Sequence, residues 1–299
     1  MTDLLIIGGG PAGLTAALYA LRSGKTAVLV EKASFGGQIA SSPKVENYPG
    51  VPAAPGAEIA DKMLSQVLDL GGEIEVGEVV RAERIDGGFA AYTQEGDRFE
   101  GAALILAPGV KHRHLGLINE DALAGNGVCY CAVCDGAFYK GSRVAVSGGG
   151  NSALQDALLL SEKCSRVYLI HRRSEFRGEA KLVEALREKE NVEFLTEAAI
   201  VALLGEGELE GVVVERRGER MTLDVSGLFV AIGHAPDNAA FASLIDLDPA
   251  GYAASDESCL TKTPGVFVAG DCRRKTVRQL TTAVADGSAA ALAACEWLG

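Results

Sequence analysis

Two copies of one pattern constrain this chain more than anything else in it. The short run of residues 3–7, apolar after Asp3, leads into Gly8-Gly-Gly10-Pro-Ala-Gly13, and Arg143-Val-Ala-Val-Ser147 leads into Gly148-Gly-Gly150-Asn-Ser-Ala153. Each run reads as a parallel strand buried on both faces, and each glycine turn is followed by a helical pattern. A second strand pattern comes next, Ala27 to Val30 in one copy and Arg166 to Ile170 in the other. In both copies 23 residues separate the first glycine from the residue ending that strand, Gly8 from Glu31 and Gly148 from His171. Glycines in this context permit a tight turn and the close approach of a pyrophosphate, whose charge then sits at the helix N-terminus. The expected fold class is α/β, with two Rossmann-like three-layer dinucleotide-binding domains.

The two copies differ where the second strand ends. Glu31 is placed to accept a hydrogen bond from a ribose 2′-hydroxyl, whereas the later copy has His171-Arg172-Arg173, with Arg177 a turn further on. A carboxylate there would repel a ribose 2′-phosphate, and guanidinium groups bind one in charge-assisted bonds. The second nucleotide is therefore expected to be NADPH.

The order of segments sets the domain plan. Ala103-Leu-Ile-Leu-Ala107, Leu228-Phe-Val-Ala-Ile-Gly233 and Gly265-Val-Phe-Val-Ala-Gly-Asp271 read as further buried strands, and a long helix spans Gln279 to Trp297. Residues 1–113 and 236–299 then form one domain, with 114–235 inserted through connections near His112 to Gly116 and Gly233 to Pro236. Between Ala33 and Pro55 a long Gly-, Ser- and Pro-rich loop is expected, and loops of that length are usually functional. A helix follows from Glu58 to Leu70, and alternating segments up to Glu100 suggest an antiparallel layer packed on the first sheet.

No run approaches the ~20 apolar residues of a membrane span, and Asp3 stands where a signal peptide needs positive charge. A net charge of −12 disfavours nucleic acid. Seven cysteines in a long, non-secreted chain argue against a disulfide scaffold and for a cytoplasmic protein. A cysteine pair that cycles there is catalytic. Cys131-Ala-Val-Cys-Asp135 supplies such a pair with a neighbouring carboxyl group, which thiol–disulfide exchange uses to move its proton. Cys129 with His112 and His114 also suits a structural zinc site, but zinc would block the thiols and explain neither nucleotide site, so no metal is expected. Cys164, Cys259, Cys272 and Cys295 read as small buried hydrophobes and Arg273-Arg-Lys275 as a solvated charge run.

From end to end the chain resembles the low-molecular-weight thioredoxin reductases. The motifs already quoted carry the resemblance, together with Gly36-Gly-Gln38, Glu46-Asn-Tyr-Pro-Gly50, Ala231-Ile-Gly-His234, and Gly270-Asp271 followed by Arg278-Gln279. It implies FAD in the outer domain, NADPH in the inserted one, thioredoxin as partner and a homodimer. FAD would be held by Gly8, Gly10, Pro11, Ala12 and Gly13, by Glu31 and Lys32, and by Gly37, Gln38 and Asn47. Ala107, Gly109, Gly270, Asp271, Arg278, Gln279 and Leu280 complete that set. NADPH would be held by Gly148, Gly150, Asn151, Ser152 and Ala153, by His171, Arg172, Arg173 and Arg177, and by Ile232. The resemblance makes Cys134 the thiol facing the flavin, Cys131 the one that attacks thioredoxin, and Asp135 the acid. Pro108 departs from the family, which has a hydroxylated residue there, and removes a backbone donor. A related flavoprotein that reduces another protein disulfide or oxidises a small dithiol, and a nucleotide-binding redox sensor without catalysis, share these motifs. The arginines argue for NADPH as reductant and against the oxidase.

Overall fold

The computed structural model describes residues 1–42 and 44–299; Pro43, inside the loop expected over 33–55, lies outside the described residues. The chain divides into two compact units, Met1–Lys111 with Ala235–Gly299, and His112–His234.

The first unit begins with β1 (Thr2–Ile7), α1 (Pro11–Arg22) and β2 (Ala27–Glu31), followed by α2 (Gly56–Asp69), β3 (Glu73–Val76), β4 (Val79–Ile85), β5 (Gly88–Thr93) and β6 (Arg98–Leu106). β3, β2, β1 and β6 pair in that order, all parallel. Alternation along β1 explains its apolar run. Leu4 and Ile6 enter a cluster with α1 residues such as Leu14 and Ala17, while Leu5 and Ile7 enter one with Phe89, Phe241 and Leu244 on the opposite face. The expected separate antiparallel layer is instead a continuation of this sheet. β6 is nine residues long, so along one edge Arg98–Gly101 pairs antiparallel with β5, leaving Leu104–Leu106 for a later strand. Phe89 and Ala91 still turn their side chains into the cluster beneath Leu5 and Ile7. Over 33–55 the chain is partly ordered by its own small core, in which Val45, Ala54 and Ile59 are buried among Ile39, Tyr48 and Val51.

The passage β7 (Val110–His112) leads from the first unit into the second, which contains α3 (Glu120–Leu123), β8 (Val128–Cys129), α4 (Ala132–Asp135), β9 (Arg143–Ser147), α5 (Asn151–Ser161), β10 (Arg166–His171), α6 (Ala180–Arg187) and β11 (Val192–Thr196). Three antiparallel strands follow, β12 (Ala198–Leu204), β13 (Gly211–Arg216) and β14 (Glu219–Leu223), then β15 (Gly227–Val230) and the return passage β16 (His234–Pro236). β11, β10, β9, β15 and β8 form a parallel sheet in that order. One face packs on α5 through Val144, Val146, Ala153, Leu154 and Ala157. The other packs on β12 and β13 through Ala145, Ile170, Ile200 and Val212.

Back in the first unit, β17 (Val266–Val268) occupies the remaining edge of β6, and α7 (Leu280–Leu298) packs against α1. Residues 273–275 correct the sequence reading, because only Arg274 is exposed. The Arg273 guanidinium donates twice to Asp286 of α7, both bonds 2.7 Å, and Lys275 Nζ lies 3.1 Å from the same carboxylate. Gly270 N–H donates to it as well, at 3.0 Å. Burial pushes the Asp286 carboxyl up, but the two cations hold it below its ordinary value. Its stabilisation is thus complete above the ordinary carboxylate range and is lost as pH falls through the depressed folded value. Asp286→Ala leaves two cations buried without that partner and is expected to destabilise the fold by about 3–5 kcal/mol in urea titration; a loss below ~1 kcal/mol would mean water reaches the cluster.

Cys164, Cys259 and Cys272 are buried as expected, whereas Cys295 is half-buried. Among the described residues no helix is long and apolar enough to cross a membrane, and no group of three or more His, Cys, Asp or Glu side chains could hold a metal ion.

Candidate functional site

Cys131 and Cys134 are joined in a disulfide. Cys131 is extended backbone just before α4, and its Sγ accepts the Cys134 N–H at 3.2 Å, so the first sulfur serves as the cap of the short helix that carries the second. Asp135 ends that helix. Burial raises its carboxyl to about 6, which a hydrogen bond with the Cys129 thiol partly opposes. An acid in this range is both protonated and ionised near neutrality, as proton exchange with thiols requires. Cys129 is buried, its thiol pushed up to about 12 chiefly by burial.

Gly8-Gly-Gly10 and α1 build a cradle that larger residues would fill. Gly8 has φ +104°, and a Cβ on it would stand 2.2 Å from the Ala107 carbonyl oxygen; one on Gly13 would stand 1.8 Å from the Gly8 oxygen. Gly10 caps α1 with no side-chain bond to its first turn, leaving those N–H groups for an anion. Pro11 opens the helix without needing a donor, Ala12 faces Gly270 and Gly287, and Gly37 brings its backbone beside Gly10. Glu31 is buried, accepting Gly9 N–H at 2.6 Å and Ala33 N–H at 3.1 Å. Lys32 turns to Asp237 at 2.8 Å, which also holds Lys111 at 3.0 Å. The Gln38 side chain donates to the Val110 carbonyl. Asn47 and Gln279, 232 residues apart, meet through a 3.1 Å hydrogen bond. Gln279 is the residue before α7, its N–H donating to Thr282, and Leu280 packs into the small core of the 33–55 segment. Asp271 lies 3.2 Å from Lys275, its carbonyl accepts from Arg278 Nε at 3.3 Å, and Arg278 stacks over Tyr252. Gly109 and Gly270 both take left-handed φ, +69° and +84°.

The second unit repeats this construction with different chemistry at its rim. A Cβ on Gly148 would stand 2.4 Å from the Ala231 carbonyl oxygen, the counterpart of Ala107, while Gly150 opens α5 with free space beside it and no side-chain cap. Asn151 is tied to Glu179 by reciprocal bonds of 3.1 and 2.7 Å, and Ser152 is exposed. His171 does not project outward as Arg172 and Arg173 do. Its ring is buried against Gly149, stacks on Phe176 and bonds the Glu175 carbonyl at 3.1 Å. Arg172, Arg173 and Arg177 are exposed, and together with burial, the larger effect, their positive charge lowers the His171 pKa. Arg177 N–H donates to the Gly149 carbonyl at 2.7 Å, folding the arginine-bearing loop over the glycine turn. Ile232 is half-buried at the edge of the β12–β13 cluster. Both cradles fit a dinucleotide: bare glycines at each turn, uncapped helix N-termini, and an acid beside one ribose position but cations beside the other.

Sequence reasoning missed Asp237, Asp286 and Tyr139, whose partners are distant in the chain or unremarkable in type, and took Lys275 for part of a solvated run. Lys275 had the nearest signal, lying four residues from Asp271, and Tyr139 lies ten from Cys129.

Comparison with known proteins accords with this geometry. The family described as pyridine nucleotide-disulphide oxidoreductase matches residues 2–287. The thioredoxin reductase of Listeria innocua serovar 6a is 38% identical over 292 residues, covering 96% of this chain and 91% of that protein. The bifunctional thioredoxin reductase/thioredoxin of Mycobacterium leprae is 39% identical over 300 residues, 99% of this chain and 66% of its own length. The crystal structure of thioredoxin reductase from Streptococcus pyogenes MGAS5005 superposes with a TM-score of 0.93 at 34% identity, covering 100% of this chain and 98% of the other. With paired glycine cradles, a disulfide in the second unit and this likeness along its whole length, the chain belongs to the pyridine nucleotide-disulphide oxidoreductase family, among the low-molecular-weight thioredoxin reductases.

Proposed function

We propose that this protein is an NADPH-dependent flavoprotein that reduces thioredoxin, the first unit holding FAD and the second holding NADPH and the redox pair. The observation that carries the reading is the Cys131–Cys134 disulfide with half-buried Asp135 beside it, in the same unit as a glycine cradle rimmed by three exposed arginines. Bound FAD supplies two-electron chemistry that links a reduced pyridine nucleotide to a disulfide. The chain's own residues bind, orient and move protons. The α1 N-terminus and Gly10 take the FAD pyrophosphate and Glu31 its ribose, while Asp271, held by Lys275, and the α7 start at Gln279 take the flavin end. The α5 N-terminus takes the NADPH pyrophosphate, and Arg172, Arg173 and Arg177 take the 2′-phosphate. Once the disulfide is reduced, Cys131 attacks the disulfide of thioredoxin and Cys134 resolves the mixed disulfide, while Asp135 gives a proton to the departing sulfur. The Mycobacterium leprae relative, whose name joins reductase to thioredoxin, supports this partner. We further propose a cytoplasmic homodimer.

The test follows NADPH consumption by the purified FAD-loaded protein. Oxidation that depends on added thioredoxin, with two thiols appearing per NADPH, is the expected result. Oxygen-dependent oxidation of a small dithiol without any pyridine nucleotide would overturn it.

A further inference from the structure

Lys275 lies four residues after Asp271, and its side chain is only 6% exposed. A buried ammonium group needs partners for its charge and for its three donors. Three oxygens lie close to it: Asp286 Oδ2 at 3.1 Å, Asp271 Oδ1 at 3.2 Å and Thr282 Oγ1 at 3.3 Å. Two of these belong to α7 and the third to the loop after β17. Asp286 does not depend on Lys275 for its neutralisation, because the Arg273 guanidinium already grips both of its oxygens in a fork of two 2.7 Å bonds. The remaining Arg273 hydrogen bond goes to the Arg274 carbonyl rather than to Asp271. Charge therefore alternates along a row, Arg273, Asp286, Lys275, Asp271, and Lys275 is the member that links α7 to Asp271. The Asp271 oxygen facing Lys275 is buried, whereas the side chain as a whole stays a quarter exposed. Its exposed part thus excludes the oxygen turned toward the ammonium group.

We propose that Lys275 is a positioning residue for FAD: anchored on Asp286 and Thr282 of α7, it holds the inner oxygen of Asp271 and so presents the outer one to a hydroxyl of the flavin side chain. Within the row the two cations then have different tasks. Arg273 neutralises Asp286 and fastens the 270–275 loop to α7, and Lys275 carries that rigidity on to the carboxylate that meets the cofactor. The proposal rests on the reading of Asp271 as a contact of the flavin end.

The experiment follows FAD release from holoenzyme after dilution, by the rise of free-flavin fluorescence, and thermal midpoints at saturating FAD show whether each variant is folded. Asp271→Asn should speed release about tenfold or more, the scale of one hydrogen bond to a charged group. Release within about twofold of wild type, the margin of additivity, would overturn the reading of Asp271 and this proposal with it. With Asp271 assigned, Lys275→Met should speed release roughly tenfold by itself but by less than about twofold when added to Asp271→Asn, because it acts through that carboxylate. Arg273→Met disturbs the same Asp286 without touching Asp271, so its effect should be alike in both backgrounds. Lys275→Gln, which keeps a donor for Asp286 and Thr282, closes the cycle where the Met variant does not fold. A Lys275 effect of equal size in both backgrounds, or wild-type release from a folded Lys275 variant, would overturn the proposal and leave Asp271 standing as a flavin contact. Equal non-additivity in Arg273→Met would overturn it too, since the whole row and not Lys275 would then set Asp271.

Discussion

Cys131→Ser is expected to lower kcat/KM for thioredoxin by about four orders of magnitude or more, the scale on which removal of a nucleophile disables a catalytic unit. NADPH-driven bleaching of bound flavin should stay within a few-fold of wild type. The two cysteines differ in their backbone contacts. Cys131 Sγ accepts the Cys134 N–H at 3.2 Å, and in the dithiol that donor would stabilise a thiolate on Cys131 without serving Cys134. That fits the proposed assignment, in which the first cysteine attacks and the second resolves. Cys134→Ser should lose turnover to a similar extent, but it retains the attacking thiol and lacks the one that would release the product. Mixed with oxidised thioredoxin it should accumulate an intermolecular disulfide, visible on a non-reducing gel and absent from Cys131→Ser. Accumulation in Cys131→Ser alone would exchange the two assignments.

Arg172→Ala combined with Arg173→Ala should reduce the preference for NADPH over NADH by roughly two to four orders of magnitude, measured as the ratio of kcat/KM values. Each hydrogen bond to a charged group contributes about 1.5–3 kcal/mol, and each 1.4 kcal/mol is tenfold. Arg172 and Arg173 follow directly on β10 and Arg177 is tied back to the Gly149 carbonyl, so three exposed guanidinium groups stand near the end of that strand. Glu31 ends β2 at the corresponding place, where a 2′-phosphate would be repelled. Because the arginines are exposed, the wild-type preference should weaken as salt rises, and the double variant should show little of that dependence. Equal kcat/KM for the two coenzymes in wild type would remove the basis of the assignment.

β1, β2, β9 and β10 and the helices between them were legible in the sequence because burial on both faces demands unbroken apolar runs. The close approach of Gly8 to Ala107 and of Gly148 to Ala231 likewise demands glycine. The fate of β4 and β5 was not legible. A two-residue alternation shows that one face is buried but not which edge the strand joins, and here the length of β6 decided it. His171 was read with the arginines from its position alone, but the turn at Gly149 takes its ring inward while Arg172 and Arg173 stay in solvent.

What the sequence determined by itself is what depends on local geometry and nearby residues: the class of fold, the two glycine turns, the redox pair and the contrast between Glu31 and His171-Arg172-Arg173. Tertiary structure alone decided where charge and protons are held. Arg273 and Lys275 look like a solvated run until α7 brings Asp286 between them, and Cys129 looks like a stray thiol until Gly227 admits the Tyr139 ring. The physical reason is that a buried polar group must be matched by a partner, and the partner is chosen by packing in space, which no short stretch of sequence encodes.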